Sequence, residues 1–442
     1  MKLSKNKKHQ YLFFFILSVY TIFNGGNSNI LIQINFILIS LLFLFCLKDK
    51  NYKLHFNIFY KKNKIPIVFY FLFLSYLIFQ IIPLPIDILK FFSFEKFNII
   101  KKLHFNTSFS TISLSPTNSF FQFLNFVTLL FLVLIIKMIF YTERHKFRLY
   151  FFLSFVGASV SFIAVLLLLN GNPNLFFIDN NYYKDAATGF FINRTVFSVF
   201  LVFCLLGSLQ YLKMYNFNNK KNHNEIFFKK IYVRLFIFII CIGIITSLSR
   251  IGNFLLLATL LFYLTEHYYL NKVENNSFRN IIFLVIIFDI LLAGFYFGAD
   301  QLIERFLFLN EQLVYESSEG ESFTRIQIIN FGLDNIKKFY LFGYGLGGFE
   351  TLFQIYSNIT NDKFANHAHS DLVQLFGELG LFGFILLNIS LFKFFYNNFF
   401  SNSLNYLLIF FIIIFLLFDF SLHIPVIQIL FIMFFILDKK NY

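Results

Sequence analysis

The sequence predicts an all-α polytopic membrane protein of about twelve transmembrane helices, with both termini in the cytoplasm. Three observations predict it: the composition, the recurrence of apolar runs of helical length, and the alternation of basic connections between them. Hydrophobic residues make up 58% of the 442 and charged residues only 14%, with 74 Phe. A folded globule of this size has too little interior to keep that much apolar area from water, so lipid is the solvent. The absence of Trp beside abundant Phe, Lys, Asn and Ile reads as a codon-bias effect and carries no functional information.

A hydrocarbon core takes roughly 20 apolar residues per helix. Runs of that kind lie near 10–24, 30–47, 65–84, 119–140, 148–169, 189–212, 232–248, 250–267, 280–297, 372–392, 404–420 and 424–438. The positive-inside rule tests this count independently, because every second connection should be rich in Lys and Arg. Basic residues do gather in those connections: Lys2, Lys5, Lys7 and Lys8; Lys48 through Lys64; Lys137 with Arg144, Lys146 and Arg148; Lys213 through Arg234; Lys272 with Arg279; Lys439 and Lys440. The net charge of +14 is therefore a topology signal, and nucleic acid is not an expected partner. Lys2 to Lys8 and the apolar run after them have the parts of a signal peptide, but Asn24, Gly25 and Gly26 lead straight into another span, so an uncleaved first helix is expected. Cys46, Cys204 and Cys241 lie singly inside apolar runs, which argues against disulfides, zinc and thiol catalysis.

Three outward connections exceed turn length: 85–118, 170–188 and 298–371. The last carries Glu316, Glu319 and Glu321, then Ile326, Ile329, Leu333 and Ile336 at helical spacing, a Gly-rich turn, and Asn366 through Asp371. A helix of that pattern suits the membrane surface. No repeat or low-complexity linker divides the chain, so residues 1–442 form one membrane domain with an elaborated outer loop at 298–371, between the ninth and tenth spans.

Ionisable groups in or beside spans mark candidate sites, because hydrocarbon makes them costly unless they are satisfied. Arg194 lies about one turn into the sixth span, where snorkelling to outer headgroups is the competing explanation. Arg250 sits in a very short outer connection, against the usual bias of Arg to the inner side. His369 precedes the tenth span. Asp371 with Gln374 reads as that helix's N-cap, which places the imidazole at a positive helix end, a setting for a neutral base beside an anion. His367, two residues earlier, is an alternative base. Gly343, Gly345 and Gly348 satisfy GxGxxG, but no strand precedes them, so a backbone turn is expected and not a dinucleotide site. Asp289 lies deep in a span, and Asp419 falls near an outer end. A proton-coupled transporter of polysaccharide or lipid carrier should show repeated halves and broken helices. Neither is visible in the sequence.

The segment from His369 through Ser370, Gln374, Glu378, Gly380 and Gly383 resembles the signature of the O-antigen ligase and O-antigen polymerase (Wzy-C type) superfamily of membrane glycosyltransferases. Further marks follow the family's order: Gly189 to Thr195 around Arg194; Ser249, Arg250 and Gly252; Arg325 ahead of Leu341 to Phe349; and Leu84, Pro85, Ser113 and Pro116 in the first long outer loop. The resemblance covers most of residues 80–385, and 119–392 is the expected core. It implies a GT-C-like bundle in a bacterial inner membrane, with its large loop and active site facing the periplasm. It also implies transfer of a glycan from an undecaprenyl diphosphate carrier to a hydroxyl of lipid A–core or of another glycan. Arg194 and Arg250 would then hold the donor diphosphate, His369 would act on the acceptor hydroxyl, and Arg325 and His367 would bind substrate. Inverting transfer without metal or other cofactor is expected.

Overall fold

The computed structural model describes residues 5–104, 107–175, 183–217, 223–266, 280–285, 287, 325–357, 365–399 and 403–437. Helices α1 (Lys5–Ile22), α2 (Asn29–Leu47), α4 (Lys64–Ile81), α7 (Pro116–Ile139), α8 (Glu143–Leu169), α9 (Arg194–Phe217), α10 (His223–Thr246), α11 (Arg250–Thr265), α14 (Asp371–Phe399), α15 (Leu404–Phe418) and α16 (Pro425–Leu437) overlap the expected spans. The ninth expected span, with Asp289, lies mostly outside the described residues. Among the described residues six helices are long and apolar enough to cross a membrane: α2, α4, α7, α8, α9 and α14. α11, α15 and α16 are shorter apolar helices.

The helices start where the sequence supplies caps. Ser28 accepts from Leu31 N, Thr142 from His145 N and Ser249 from Gly252 N, and Pro116 stands in the first turn of α7. α9 is the central post. Its apolar window is wholly buried, against α8, α10 and α11 in particular, whereas in α2, α4, α7, α8 and α14 less than half of the window is buried. Those exposed faces carry large apolar side chains such as Ile37, Phe71, Phe162 and Phe392, as lipid-facing surfaces must. Helix contact in lipid relies on close approach, and a Cβ on Gly157 of α8 would lie 2.4 Å from Cβ of Cys204 on α9.

The structure departs from the sequence reading in three places. Residues 50–62, expected as a basic connection, form helix α3 (Lys50–Lys62), because Asp49 caps it through Asn51 N and Tyr52 is fully buried. Among the described residues the all-α expectation has a small exception: in the first outer loop β1 (Leu84–Pro85) pairs antiparallel with β2 (Phe109–Ser110), beside α5 (Ile86–Phe92) and α6 (Phe94–Lys102). Finally, α14 is a broken helix. Gly380 has φ 63° and ψ −179°, a conformation open only to Gly, so the expectation of unbroken helices is corrected.

The break is possible because protein supplies the hydrogen bonds that lipid cannot. Tyr344 N and Gly345 N donate to the carbonyls of Gly377 and Glu378 at 3.1 and 3.0 Å. The Tyr76 hydroxyl donates to Leu379 O at 2.7 Å and Gln80 Nε2 to Glu378 O at 3.1 Å. Leu381 N in turn donates to Tyr340 O at 2.8 Å. The Gly-rich run thus forms the expected turn, with Gly343, Gly345 and Gly347 at positive φ, and it docks into the interruption of α14.

Helix α12 (Arg325–Phe339) appears where the apolar spacing predicts it, followed by α13 (Phe349–Tyr356). Its packed face is Ile328, Phe331 and Phe339. Ile326 and Leu333, members of the stripe read from the sequence, remain exposed.

Candidate functional site

The site is built on the N-terminus of α14. Ser370 is its cap: Val373 N donates to Ser370 Oγ at 3.5 Å, and Gln374 N donates to Ser370 O at 3.0 Å. The expected cap, Asp371, is the first helical residue instead, and its fully buried carboxylate is used elsewhere. It accepts from Leu422 N at 3.1 Å and from Nδ1 of His423. Those residues belong to a single 3-10 turn, Ser421–His423, which joins α15 to α16. Gln374 keeps its capping role in altered form, accepting from Ala368 N at 3.1 Å and donating to Glu378 Oε1 at 3.0 Å.

Three imidazoles collect around this helix start. His367 stacks on Phe420 with centroids 4.6 Å apart and planes 9° from parallel. His369, at φ 56°, meets the same ring edge-on at 5.4 Å. The rings of His367 and His423 are 5.5 Å apart. Burial, with the neighbouring His423, pulls His367 down to about 3, so it is neutral and a poor proton acceptor. Burial also opposes charge on His423, but the Asp371 carboxylate and its hydrogen bond outweigh it, and Glu378 adds to them. The net shift is upward. Asp419, which the sequence placed only near an outer end, is buried beside the cluster, accepting from the Ser421 hydroxyl.

The two arginines open neighbouring helices. Asn193 caps α9, its Oδ1 accepting from Thr195 N at 2.7 Å, so that Arg194 is the first helical residue, half-buried over the Tyr183 ring at 5.1 Å. Arg250 opens α11 and is exposed. Gly252, two residues on, faces Ser198 so closely that an added Cβ would lie 2.2 Å from the Ser198 hydroxyl. The two starts are therefore within about a turn of each other along neighbouring helices. Ala187 N donates to Thr246 O at 2.9 Å, tying the segments before them together.

The imidazole cluster shares this end of the bundle. The turn bearing His423 packs against α9 as well as α14, α15 and α16. A Cβ on Gly25, in the connection between α1 and α2, would meet Ile424, Val426 and Phe191 together, which sets the residue after His423 beside the one three before Arg194. Arg325 opens α12, which packs on α14, but its side chain lies outside what the structure describes.

The first outer loop closes the flank. Leu114 N donates to Tyr344 O at 2.9 Å, and the Ser119 hydroxyl donates to Leu346 O at 2.8 Å. Lys96 donates to Thr111 Oγ1 at 3.1 Å and to Ser113 O, and burial pushes it down to about 8. Tyr356 donates to Glu95 at 2.7 Å while Lys338 lies 3.8 Å above its ring. Among the described residues no group of three or more His, Cys, Asp or Glu has the geometry to hold a metal ion.

Sequence reasoning missed His423 and the roles of its acidic neighbours Asp371 and Glu378. A usable signal existed: the alternation of spans puts 421–423 on the same face as His369, and a His in so short an outer turn stands with few neighbours to choose among.

These features define a polytopic helical membrane protein whose chemistry-bearing side chains meet at one end of the bundle. Residues 235–387 match the model of the family described as O-antigen ligase, which bears out the resemblance to that superfamily. Arg250, Arg325, His367 and His369 fall inside the matched stretch, and Arg194 lies before it. The family supports a glycosyltransferase-like enzyme of polysaccharide biosynthesis acting on lipid-linked glycan and a glycan acceptor. No curated protein and no solved structure gives a significant match.

Proposed function

We propose that the protein transfers a glycan from an undecaprenyl diphosphate carrier to an acceptor hydroxyl at the periplasmic face of a bacterial inner membrane, as an O-antigen ligase does. The observation that carries this reading is the shared end of the bundle: two arginine-initiated helix starts beside a cluster of imidazoles, within a chain matched to the ligase family.

The chemistry follows from charge. As the glycosidic bond breaks, negative charge grows on the departing diphosphate, and guanidinium groups at two helix N-termini meet it with fixed donors and favourable dipoles. Arg194 and Arg250 grip the diphosphate, and Arg325 serves donor or acceptor phosphate. His369 takes the proton of the acceptor hydroxyl or positions that hydroxyl for attack, in one displacement with inversion and without a metal. His367 fits a binding role better than that of base, since burial keeps it neutral far below physiological pH.

Polymerisation of carrier-linked glycans uses the same parts and is the second reading. Transport is the reading from another class. Transporter helices are often interrupted as α14 is, but here the carbonyls of Gly377, Glu378 and Leu379 are engaged by Tyr344, Gly345, Tyr76 and Gln80 and are not held open as ion ligands. Purified protein in liposomes, given a labelled carrier-linked glycan and an acceptor without an energy source, tests the reading. Transfer that is lost in His369→Ala while the protein still inserts supports it. Full activity of His369→Ala removes that residue's assignment.

A further inference from the structure

A half-buried cation without a counter-charge calls for a reason, because leaving water is costly for an ammonium unless an anion replaces the solvent. Lys96 is such a cation. It stands in the first turn of α6, where open N–H groups already make the helix end positive, and Ser93 before that helix makes no side-chain cap. Its ammonium donates to two neutral oxygens, Thr111 Oγ1 at 3.1 Å and the carbonyl of Ser113. Among the described residues no carboxylate lies within ion-pair distance of it. The adjacent Glu95 is turned to the Tyr356 hydroxyl. Burial lowers Lys96 to about 8 with no neighbouring charge to offset it, so at neutral pH the group is still mostly a cation that a nearby anion would stabilise.

The lysine is not needed to hold its loop together. Ser113 O already accepts from the Thr111 hydroxyl at 2.8 Å. Ser113 is fixed further by its N–H to Gln80 O at 3.0 Å and by its hydroxyl to that of Ser119 at 2.7 Å. An ammonium has three N–H groups, and Thr111 and Ser113 take two. The third meets no partner among the described residues, and Lys96 is only partly buried, so a ligand can reach it.

Its place in the fold selects the ligand. Ser113 underlies the Gly-rich turn, where a Cβ on Gly345 would lie 2.2 Å from its hydroxyl, and Leu114 N donates to Tyr344 O. One turn along α6, Ile99 packs on the apolar cluster that contains Ala368, the residue between His367 and His369. Lys96 therefore lies on the α14 flank of the imidazoles. Arg194 and Arg250 lie on the other flank, at the starts of α9 and α11, and the turn Ser421–His423 packs on both α9 and α14. Displacement with inversion sets the incoming hydroxyl and the leaving group on opposite sides of the anomeric carbon. With the diphosphate on the arginines, the acceptor arrives from the flank of Lys96.

We propose that Lys96 binds a phosphate group of the acceptor and so helps to determine which acceptors are used. This rests on the glycan-transfer reading above. The phosphate accepts the third N–H of Lys96 as a charge-assisted hydrogen bond beside the positive end of α6, and tethers the acceptor while His369 acts on its hydroxyl.

The test uses the full chain in liposomes with a labelled undecaprenyl diphosphate glycan and two acceptors: phosphorylated lipid A–core, and the same material stripped of phosphate by a phosphatase. The parent should show a KM for the phosphorylated acceptor about tenfold or more below that for the stripped one. Lys96→Met should abolish that preference, with kcat and the donor KM little changed. A merely structural lysine would not move the ratio of the two acceptors. Lys96→Gln keeps a donor toward Thr111 and Ser113 but no charge, and it carries the same comparison if Lys96→Met fails to insert. A parental acceptor ratio in Lys96→Gln, or no phosphate preference in the parent, overturns the proposal. A rise confined to the donor KM also overturns it, by assigning the lysine to the donor diphosphate. Binding of each acceptor without donor, read as a shift of the melting midpoint in detergent, separates this proposal from the transfer reading. If the parent transfers nothing but phosphorylated acceptor raises its midpoint and not that of Lys96→Gln, only the transfer reading fails; equal shifts in both remove the lysine's role.

Discussion

Replacing Gly380 by Ala isolates the contribution of the break in α14, because two separate penalties can be worked from the structure. The first is conformational: φ 63° with ψ −179° is a region other residues do not occupy, at a cost of about 1–3 kcal/mol. The second is steric. The added Cβ would stand 2.3 Å from Gly343 N and 2.6 Å from Leu341 O, which are backbone atoms and not movable side-chain ends. Relief requires the Gly-rich turn to retreat, and the bonds from Leu381 N to Tyr340 O and from Phe382 N to Leu341 O go with it. A buried bond left unmade costs about 1–3 kcal/mol, so the substitution should destabilise by on the order of 4 kcal/mol. Cys46, Cys204 and Cys241 are all buried, so a thiol-reactive fluorophore reports unfolding on heating in detergent. Gly171→Ala is the control, since Gly171 has φ 75° but nothing within 4 Å of an added Cβ. Gly380→Ala should melt well below the parent and clearly below Gly171→Ala. Equal midpoints for the two would refute the argument that the turn is locked into the helix break.

Arg250→Ala should lower transfer by about 10²- to 10³-fold, and Arg250→Lys should recover only part of it, because a lone ammonium cannot replace a two-pronged guanidinium on diphosphate; equal rates for Lys and Arg would contradict the clamp. His367 is neutral in the folded protein to about pH 3, whereas the unfolded chain binds a proton near pH 6.5, so this residue costs stability as pH falls from 6.5 toward 3. His367→Gln should flatten the fall in melting temperature over that window. His423 acts with the opposite sign: its raised affinity stabilises below about pH 6.5 and that contribution is lost as pH rises through its folded value, so His423→Gln should weaken the protein more at pH 5 than at pH 9. Tyr356→Phe removes the hydroxyl bond to Glu95 but keeps the ring beneath Lys338, and should cost about 1 kcal/mol, read as faster hydrogen exchange in α6 and α13.

Much of the fold was legible because lipid imposes a simple rule on sequence. Apolar runs near 30–47, 119–140 and 404–420 became α2, α7 and α15, since a segment that must satisfy its own backbone has few alternatives to helix. Caps were less legible. Asp371 looks like the cap of α14 in the sequence, but Ser370 takes that place because the carboxylate binds a turn some fifty residues further on. The break at Gly380 was hidden for the same reason, as Gly within an apolar run is common in membrane helices, and only the partners Tyr76, Gln80 and Tyr344 make an interruption tolerable. Arg194, Arg250 and His369 stood out because charge and imidazole are costly near hydrocarbon. His423 did not, because its meaning depends on Asp371 reaching across the fold.

The central claim is that this end of the bundle carries out glycan transfer from a lipid diphosphate. Its most direct measurement is mass-resolved product formation by the purified protein in sealed liposomes, with a labelled undecaprenyl diphosphate glycan, a lipid A–core acceptor and no ion gradient or nucleotide. The account predicts a product of acceptor mass plus glycan with release of undecaprenyl diphosphate, lost when Arg250 is replaced by Ala. Movement of intact donor across the bilayer without any new glycosidic bond would contradict it.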